Sequence, residues 1–355
     1  MSRASTIFGH VCIALALVAL GVGVVAMKVH DAQRYTPYHV ADGDNYYWTE
    51  HAFHFRHFRM VARGEAIPAV DTGIQHPEGL RTRRYITPMM EQVYGRVYRW
   101  WFDGVSMHVF LTWATAVVST LSVLACFAAG AAIGGGAWPG LISASLYGLA
   151  LASRVRGTGG FGREEFALPL LFGATACFFL CMRRERLGVA ALGAALLVAA
   201  FASWHISQFY YELLVVGLAG VLVLYGPGAL PRRTVTMYAV AAIVAALALP
   251  VLRYKLYIVA LPITLSAGLL ILLWQPAVAA RGRRAMLMRA AVLVSFARRR
   301  TLTSTHLLLA YFAVVSFALY VLFTRMNVLA VFFLALLAAT VWPRRGFLRR
   351  AGVVV

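Results

Sequence analysis

Long apolar runs separated by short polar joints occupy most of the chain. Ten of them approach the roughly 20 residues that carry a helix across a bilayer. They lie at about 7–27, 106–130, 137–153, 166–182, 188–204, 208–226, 235–252, 256–274, 305–324 and 327–342. The first is too long for the apolar part of a signal peptide, and Met27-Lys28-Val29-His30 offers no small-residue cleavage site. The pattern predicts an all-α polytopic membrane protein with about ten transmembrane helices.

The stretch 28–105 follows a different pattern. In "DGDNYYWTEHAFHFRHFRMVARGE" (42–65) aromatic residues recur along one face, which predicts an amphipathic helix lying at the interface with Asp44 as its N-cap. "AIPAVDTGIQHPEGL" (66–80) is a turn-rich connector. A second helix is expected to start at Thr87-Pro88 and run through "MMEQVYGRVYRWWF".

Composition supports the membrane reading: 61% of residues are hydrophobic, only 13% are charged, and the mean hydropathy is +0.74. Soluble domains carry about 25% charge. A net charge of +20 invites a nucleic-acid reading, but its distribution argues against one. Arg183/Arg184/Arg186, Arg232/Arg233, the run Arg281–Arg300 and Arg344/Arg345/Arg349/Arg350 follow every second span. They fall on one side if the N-terminus is cytoplasmic, as the positive-inside rule requires. The predicted topology is therefore N-in/C-in in the cytoplasmic membrane, with 275–304 a basic cytoplasmic loop. Residues 282–300 within it read as a helix on anionic membrane lipid. Outside lie the long first loop 28–105, a second loop 154–165 and a short turn at Trp204–Ser207. Cys12, Cys126, Cys177 and Cys181 all fall inside apolar stretches and read as small buried hydrophobes.

The acids are the informative charges. Nine of thirteen lie in the first outside loop, Glu164 and Glu165 close the second, Glu212 sits near the outer end of the sixth span, and Glu185 is cytoplasmic. Two adjacent acids at the start of a span are costly without a partner, although the helix dipole favours them. Asp42 and Asp44 face the same compartment, and closely spaced carboxylates are hard ligands suited to Mn²⁺ or Mg²⁺. A divalent cation between Asp44 and the Glu164/Glu165 pair resolves the cost. His51, His54 and His57 share one flank of the first-loop helix; a zinc site there lacks a fourth ligand, and interfacial histidines are the expectation. Gly157, Gly159 and Gly162 match G-x-G-x-x-G, but they follow a membrane span instead of a strand and face away from cytoplasmic nucleotides. Flanked by Arg156 and Arg163, they suit a backbone that approaches a phosphate.

Several of these segments resemble the transmembrane part of the catalytic subunit of oligosaccharyltransferase, a membrane glycosyltransferase of the GT-C class. The matching pieces are "GDNYYW" opening the first loop, "RHFRMVARGEAIPAVDTGIQHPEGL", "SRVRGTGGFGREEFALPLLFG", "ASWHISQFYYELLVVG" and "TRMNVLAVFFLALLAA". The resemblance implies one GT-C-like transmembrane domain over 1–355. It implies a glycan donor on polyprenyl (pyro)phosphate and a divalent metal held by Asp44 together with Glu164 or Glu165. The second acidic motif has no fixed register: its first acid falls on Gly162, Arg163 or Glu164 with the gap chosen. Arg325 matches the arginine that meets the donor phosphate, and Arg154, Arg156 and Arg163 are further phosphate candidates. Asp42, Trp204, His205 and Tyr210 are candidates for a sugar or acceptor groove. The family's last external loop and its soluble C-terminal domain have no counterpart in the sequence, so the chain is expected to be a fragment, to use a different acceptor, or to work with a separate acceptor-binding subunit. The leading reading is glycan transfer to an acceptor, with protein asparagine expected, on the extracytoplasmic face. Transfer of a single sugar from polyprenyl monophosphate to protein or lipid is the alternative within the class. A transporter or flippase of lipid-linked sugar is the alternative outside it.

Overall fold

The computed structural model describes residues 3–35, 47, 49–74, 77–155, 160–274, 304–322 and 327–341. Each of the ten apolar stretches is built on a helix. The first is α1 (Arg3–Tyr35). The first loop contributes α2 (Thr49–Ala62), α3 (Thr82–Tyr85) and α4 (Met89–Val97), the last continued by one π-turn over Tyr98–Phe102. Next come α5 (Met107–Gly134), α6 (Ala137–Leu149), α7 (Leu151–Val155), α8 (Arg163–Arg183), α9 (Leu187–Ser203) and α10 (Ser207–Tyr225). The chain then forms α11 (Arg232–Ala248), α12 (Pro250–Tyr254), α13 (Leu261–Trp274), α14 (Ser304–Leu322) and α15 (Asn327–Val341). Among the described residues four helices, α1, α5, α8 and α10, are long and apolar enough to cross a membrane, and α9, α13, α14 and α15 carry shorter apolar segments. The protein is thus an all-α polytopic membrane protein.

Several boundaries differ from the pattern for local reasons. The run 235–252 breaks after Ala248 because Pro250 cannot donate a helical hydrogen bond, so it opens α12 instead. The run 256–274 starts late, at Leu261: Leu256 takes a left-handed φ of 53° and a single 3₁₀ turn follows at Tyr257–Val259. The first-loop helix is described from Thr49, and Asp44, expected as its N-cap, lies outside the described residues; Pro88 caps α4 instead of opening it. Residues 282–300, expected as an interfacial helix, lie outside the described residues.

α5 and α8 form the centre, with α6 on α5, α9 on α8, and α11 on α9. Small residues allow the close approach that membrane helices use in place of a hydrophobic drive. A Cβ at Gly140 of α6 would lie 2.7 Å from the Phe127 carbonyl on α5, and one at Gly130 would meet Ser143. Ser143 Oγ donates to the Ala335 carbonyl at 3.1 Å and ties α15 to the pair. Stacked rings, Phe172 on Phe332 at 3.8 Å and Phe312 on Phe333 at 4.5 Å, fill the space between α8, α14 and α15.

The bundle has two distinct ends. At one end Glu185 accepts from the Thr234 N–H at 2.8 Å, joining the α8–α9 turn to the start of α11. At the other end the first loop builds a second apolar core from Phe55, Phe58, Met90, Tyr94, Tyr98, Phe110, Phe161 and Phe166. The aromatic face of α2 therefore packs into protein, against α4 and the first turn of α5. Trp100 and Trp101 stay exposed on the π-turn, as a rim of interfacial aromatics would be.

Candidate active site

α8 opens with "GREE", and the local geometry of these four residues defines the site. Gly162 is the extended N-cap of the helix, with φ −110° and ψ 153°. Glu164 and Glu165 occupy the first turn, where the helix dipole favours negative charge. Both carboxylates fold back over Gly162. A Cβ there would lie 3.3 Å from Glu164 Oε2 and would collide with Glu165 Oε2. The glycine is required for this close approach and not for any unusual φ. Glu164 is half-buried and Glu165 is buried. Four residues on, Pro169 has no N–H to donate to the Glu165 carbonyl.

The loop leading into α8 is docked by the first-loop histidines. His51 Nδ1 accepts the Phe161 N–H at 3.1 Å, and its ring lies 3.3 Å from where a Gly160 Cβ would be. Phe161 inserts edge-on against Phe58 at 5.8 Å. The histidines are therefore not interfacial. His54 Nδ1–H donates to Glu91 Oε1 at 2.9 Å, and His57 Nε2–H donates to Asp71 Oδ2 at 3.1 Å. His54 and His57 are buried, and burial holds both below the usual histidine range despite the neighbouring acids. Both are therefore neutral at pH 7, His54 protonated on Nδ1 and His57 on Nε2.

Two ionic knots hold this layer together. Glu91, fully buried in the first turn of α4, accepts from Arg163 Nη2 at 2.7 Å and Nε at 3.2 Å. Burial alone would raise the Glu91 pKa, but Arg163 and His54 overcome it and hold the carboxyl at about 2. Asp71 accepts from Arg56 Nε and Nη2, both at 3.0 Å, from His57, and from the Gly73 N–H. These bonds outweigh its burial and keep its carboxyl below the usual range. A third pair, Arg154 with Asp31 at 2.7 Å, joins α7 to the end of α1 and leaves the guanidinium 40% exposed. Beneath the acids, buried Lys28 of α1 donates to Ser119 Oγ at 2.8 Å and acts electrostatically on Glu165. The Tyr94 hydroxyl is pushed well above the usual tyrosine range by burial and by the charge of Glu165. The 204–206 turn shares this end: Thr87 Oγ1 donates to the Ser203 carbonyl at 2.9 Å. His205 is held down to about 4 by burial, Lys255 and Arg163, and so is neutral at pH 7.

The sequence candidates are thus distributed unevenly. Glu164, Glu165, Arg163, Arg154 and His205 gather at the end of the bundle that carries the first loop. Arg163 is committed to Glu91, which sequence reading passed over, as it passed over Lys28. Trp204 packs on the transmembrane core. Tyr210 lines no groove: it is 3% exposed, bonded to Thr175 and stacked near Phe312. Asp42, Asp44, Arg156 and Arg325 lie outside the described residues. Among the described residues no group of three or more metal-ligating side chains forms. The two carboxylates drawn over Gly162 nevertheless fit a hard divalent cation as a partial ligand set.

Fold and site together define an all-α membrane protein with an acid-bearing layer at one end. No protein-family model matches the chain, and no curated protein does. Among solved structures it is similar to an archaeal oligosaccharyltransferase, AglB from Archaeoglobus fulgidus, in complex with an inhibitory peptide and a dolichol-phosphate. The identity is 15% and the TM-score 0.46; the match covers 92% of this chain and 40% of that one. The chain thus spans less than half the length of that protein.

Proposed function

We propose that the chain is a membrane glycosyltransferase that moves a glycan from a polyprenyl-(pyro)phosphate donor to an acceptor, a protein asparagine, on the extracytoplasmic face. The observation that carries this reading is the adjacent pair Glu164 and Glu165, drawn together over Gly162 where the first and second outside loops join. The pair, with Asp44 of the first loop, would hold Mn²⁺ or Mg²⁺. Such an ion, when bound, neutralises charge on the departing lipid phosphate.

The chain's own residues supply the rest. One carboxylate of the pair orients the acceptor group and takes its proton. Arg154, paired with Asp31 and 40% exposed, is a candidate for the phosphate oxygens. Arg156 and Arg325 are the remaining phosphate candidates, and acceptor recognition by a separate subunit belongs to the same proposal. The buried aromatic core of the first loop fixes the acid-bearing turn, so that the reacting groups are held without reorganisation.

The reading is tested on purified chain in lipid nanodiscs, given Mn²⁺ and a labelled sugar on either polyprenyl pyrophosphate or monophosphate. Acceptors are an Asn-x-Thr peptide and the nanodisc lipid itself, with Asp44→Ala and Glu164→Ala/Glu165→Ala as controls. Metal-dependent transfer to peptide from the pyrophosphate donor, lost in the controls, is the expected result. Transfer from monophosphate alone would move the activity to the single-sugar alternative. Donor movement across the bilayer without transfer would replace it with the flippase alternative.

A further inference from the structure

α1 leaves the bundle open at the end opposite the first loop. Its second half is anchored: Val24, Lys28, Val29 and Ala32 are buried, and Lys28 is bonded to Ser119 of α5. Between Phe8 and Gly23, by contrast, no residue of the helix is buried. The gap between this half of α1 and the last turns of α5 is a cleft of about 450 Å³, a size that holds a small ligand. Ile13, Ala14 and Leu17 line one wall, and Phe127 and Ala131 line the other. α1 starts where α5 ends, so the polar part of the cleft collects there, at the Gly135–Gly136 turn and Arg183.

Arg183 has no acid to meet. A Cβ at Gly135 would lie 3.4 Å from its Nη2, so the guanidinium sits beside the turn that ends α5. Among the described residues it forms no ion pair; Glu185, two positions on, accepts from both the N–H and the hydroxyl of Thr234. The segments outside the described residues contain only two acids, Asp42 and Asp44. Chain length keeps both within about 18 Å of Tyr47, which belongs to the first-loop core. Arg183 stands at the far end of α8, roughly 30 Å from the helix turn that packs on that core. Beside the cleft, Trp138 is 49% exposed, as an aromatic at headgroup depth would be.

Polarity thus changes along the cleft as it does along a phospholipid, from a charged head to a hydrocarbon chain. We propose that the cleft binds one anionic phospholipid, with its phosphate on Arg183 and an acyl chain between α1 and α5. A guanidinium recognises phosphate oxygens through parallel N–H donors. A choline headgroup is disfavoured because it brings a second cation to Arg183. The polyprenyl donor is not this occupant, since Glu164 and Glu165 lie in the first turn of α8 and Arg183 in its last. The bound lipid fills the space that α1 leaves and ties the first span to the bundle.

The test titrates the purified chain in detergent with phosphatidylglycerol, phosphatidylcholine of the same acyl chains, or polyprenyl phosphate. Mass spectrometry of the intact protein counts the lipids retained. Wild type is expected to keep one phosphatidylglycerol, about tenfold more tightly than either of the others. Arg183→Gln should lose about tenfold for phosphatidylglycerol, the scale of one charge-assisted hydrogen bond, and leave phosphatidylcholine unchanged. Ala14→Phe, at an exposed position of α1, should fill the cleft and lower retention of every lipid. Arg184→Gln removes a neighbouring charge that does not line the cleft and should stay within about twofold of wild type. Equal retention of phosphatidylglycerol and phosphatidylcholine, or no retained lipid, overturns the proposal. So does a preference for polyprenyl phosphate. An Arg184→Gln loss as large as that of Arg183→Gln would assign the lipid to a diffuse basic surface, and unchanged retention by Ala14→Phe would place it elsewhere; either result overturns the proposal.

Discussion

Gly162→Ala separates the acid pair from the fold. At φ −110° and ψ 153° an alanine is unstrained, so the backbone need not move. The new Cβ would sit 3.3 Å from both Glu164 Oε2 and Glu165 Cδ and would overlap Glu165 Oε2. The atoms in its way are the far ends of two flexible side chains, which swing aside cheaply. Exchanging glycine for alanine at an N-cap costs at most about 1 kcal/mol. For a chain of 355 residues that lowers the melting temperature by no more than about 2 °C. The carboxylates, however, must be displaced by about 1 Å, a misplacement that can cost about 100-fold in rate. The variant is read by intrinsic-fluorescence melting and by Mn²⁺-dependent turnover of the lipid-linked donor. A near-native melt with turnover lost by 30-fold or more supports the reasoning. Wild-type turnover at an intact fold would refute it, since the gathered carboxylates would then be irrelevant to the chemistry.

Asp71→Asn should loosen the first loop by about 2–3 kcal/mol, because Arg56 and buried His57 lose their common anion. Limited proteolysis between residues 63 and 80 checks this, and unchanged cleavage would contradict it. Stability should also fall as the pH is lowered from 7 toward 4. His54 and His57 have folded pKa values below the unfolded 6.5, so protonation favours the unfolded state and stability is lost below about pH 6.5. Glu91 and Asp71, depressed in the folded state, add a second loss as the pH passes below their unfolded values of 4.5 and 3.8. A melting temperature that holds or rises between pH 7.5 and 5.5 would contradict the neutral, buried assignment of the two histidines.

The membrane bundle was largely legible because a span announces itself in one continuous stretch of sequence. The α5 and α8 runs needed no knowledge of their neighbours. Where the reading slipped, a local rule had been overridden or overlooked, as with Pro250 ending α11 and Leu256 delaying α13. The site was legible only in part. Glu164 and Glu165 stood out because two acids at a span boundary need a partner. Glu91 did not, since it is one of nine acids in a polar loop, and its partners stand 37 positions earlier, at His54, and 72 later, at Arg163. Lys28 looked like an ordinary flank of the first span; only the packing of α1 on α5 buries it. Tyr210 looked like a groove residue because its position by the 204–207 turn says nothing of the α14 and α15 rings that enclose it.

The central claim is that the Glu164/Glu165 pair carries metal-dependent sugar transfer. Its most direct measurement compares release of polyprenyl pyrophosphate from the pyrophosphate-linked donor by wild type and by Glu164→Gln/Glu165→Gln, in identical nanodiscs, with Mn²⁺ and with chelator. The exchange keeps the shape of both side chains and removes both charges. The account predicts Mn²⁺-dependent product from the wild type and a loss of at least about 100-fold in the variant at an unchanged melting temperature. Equal product from both proteins, or product that persists under chelator, would contradict it.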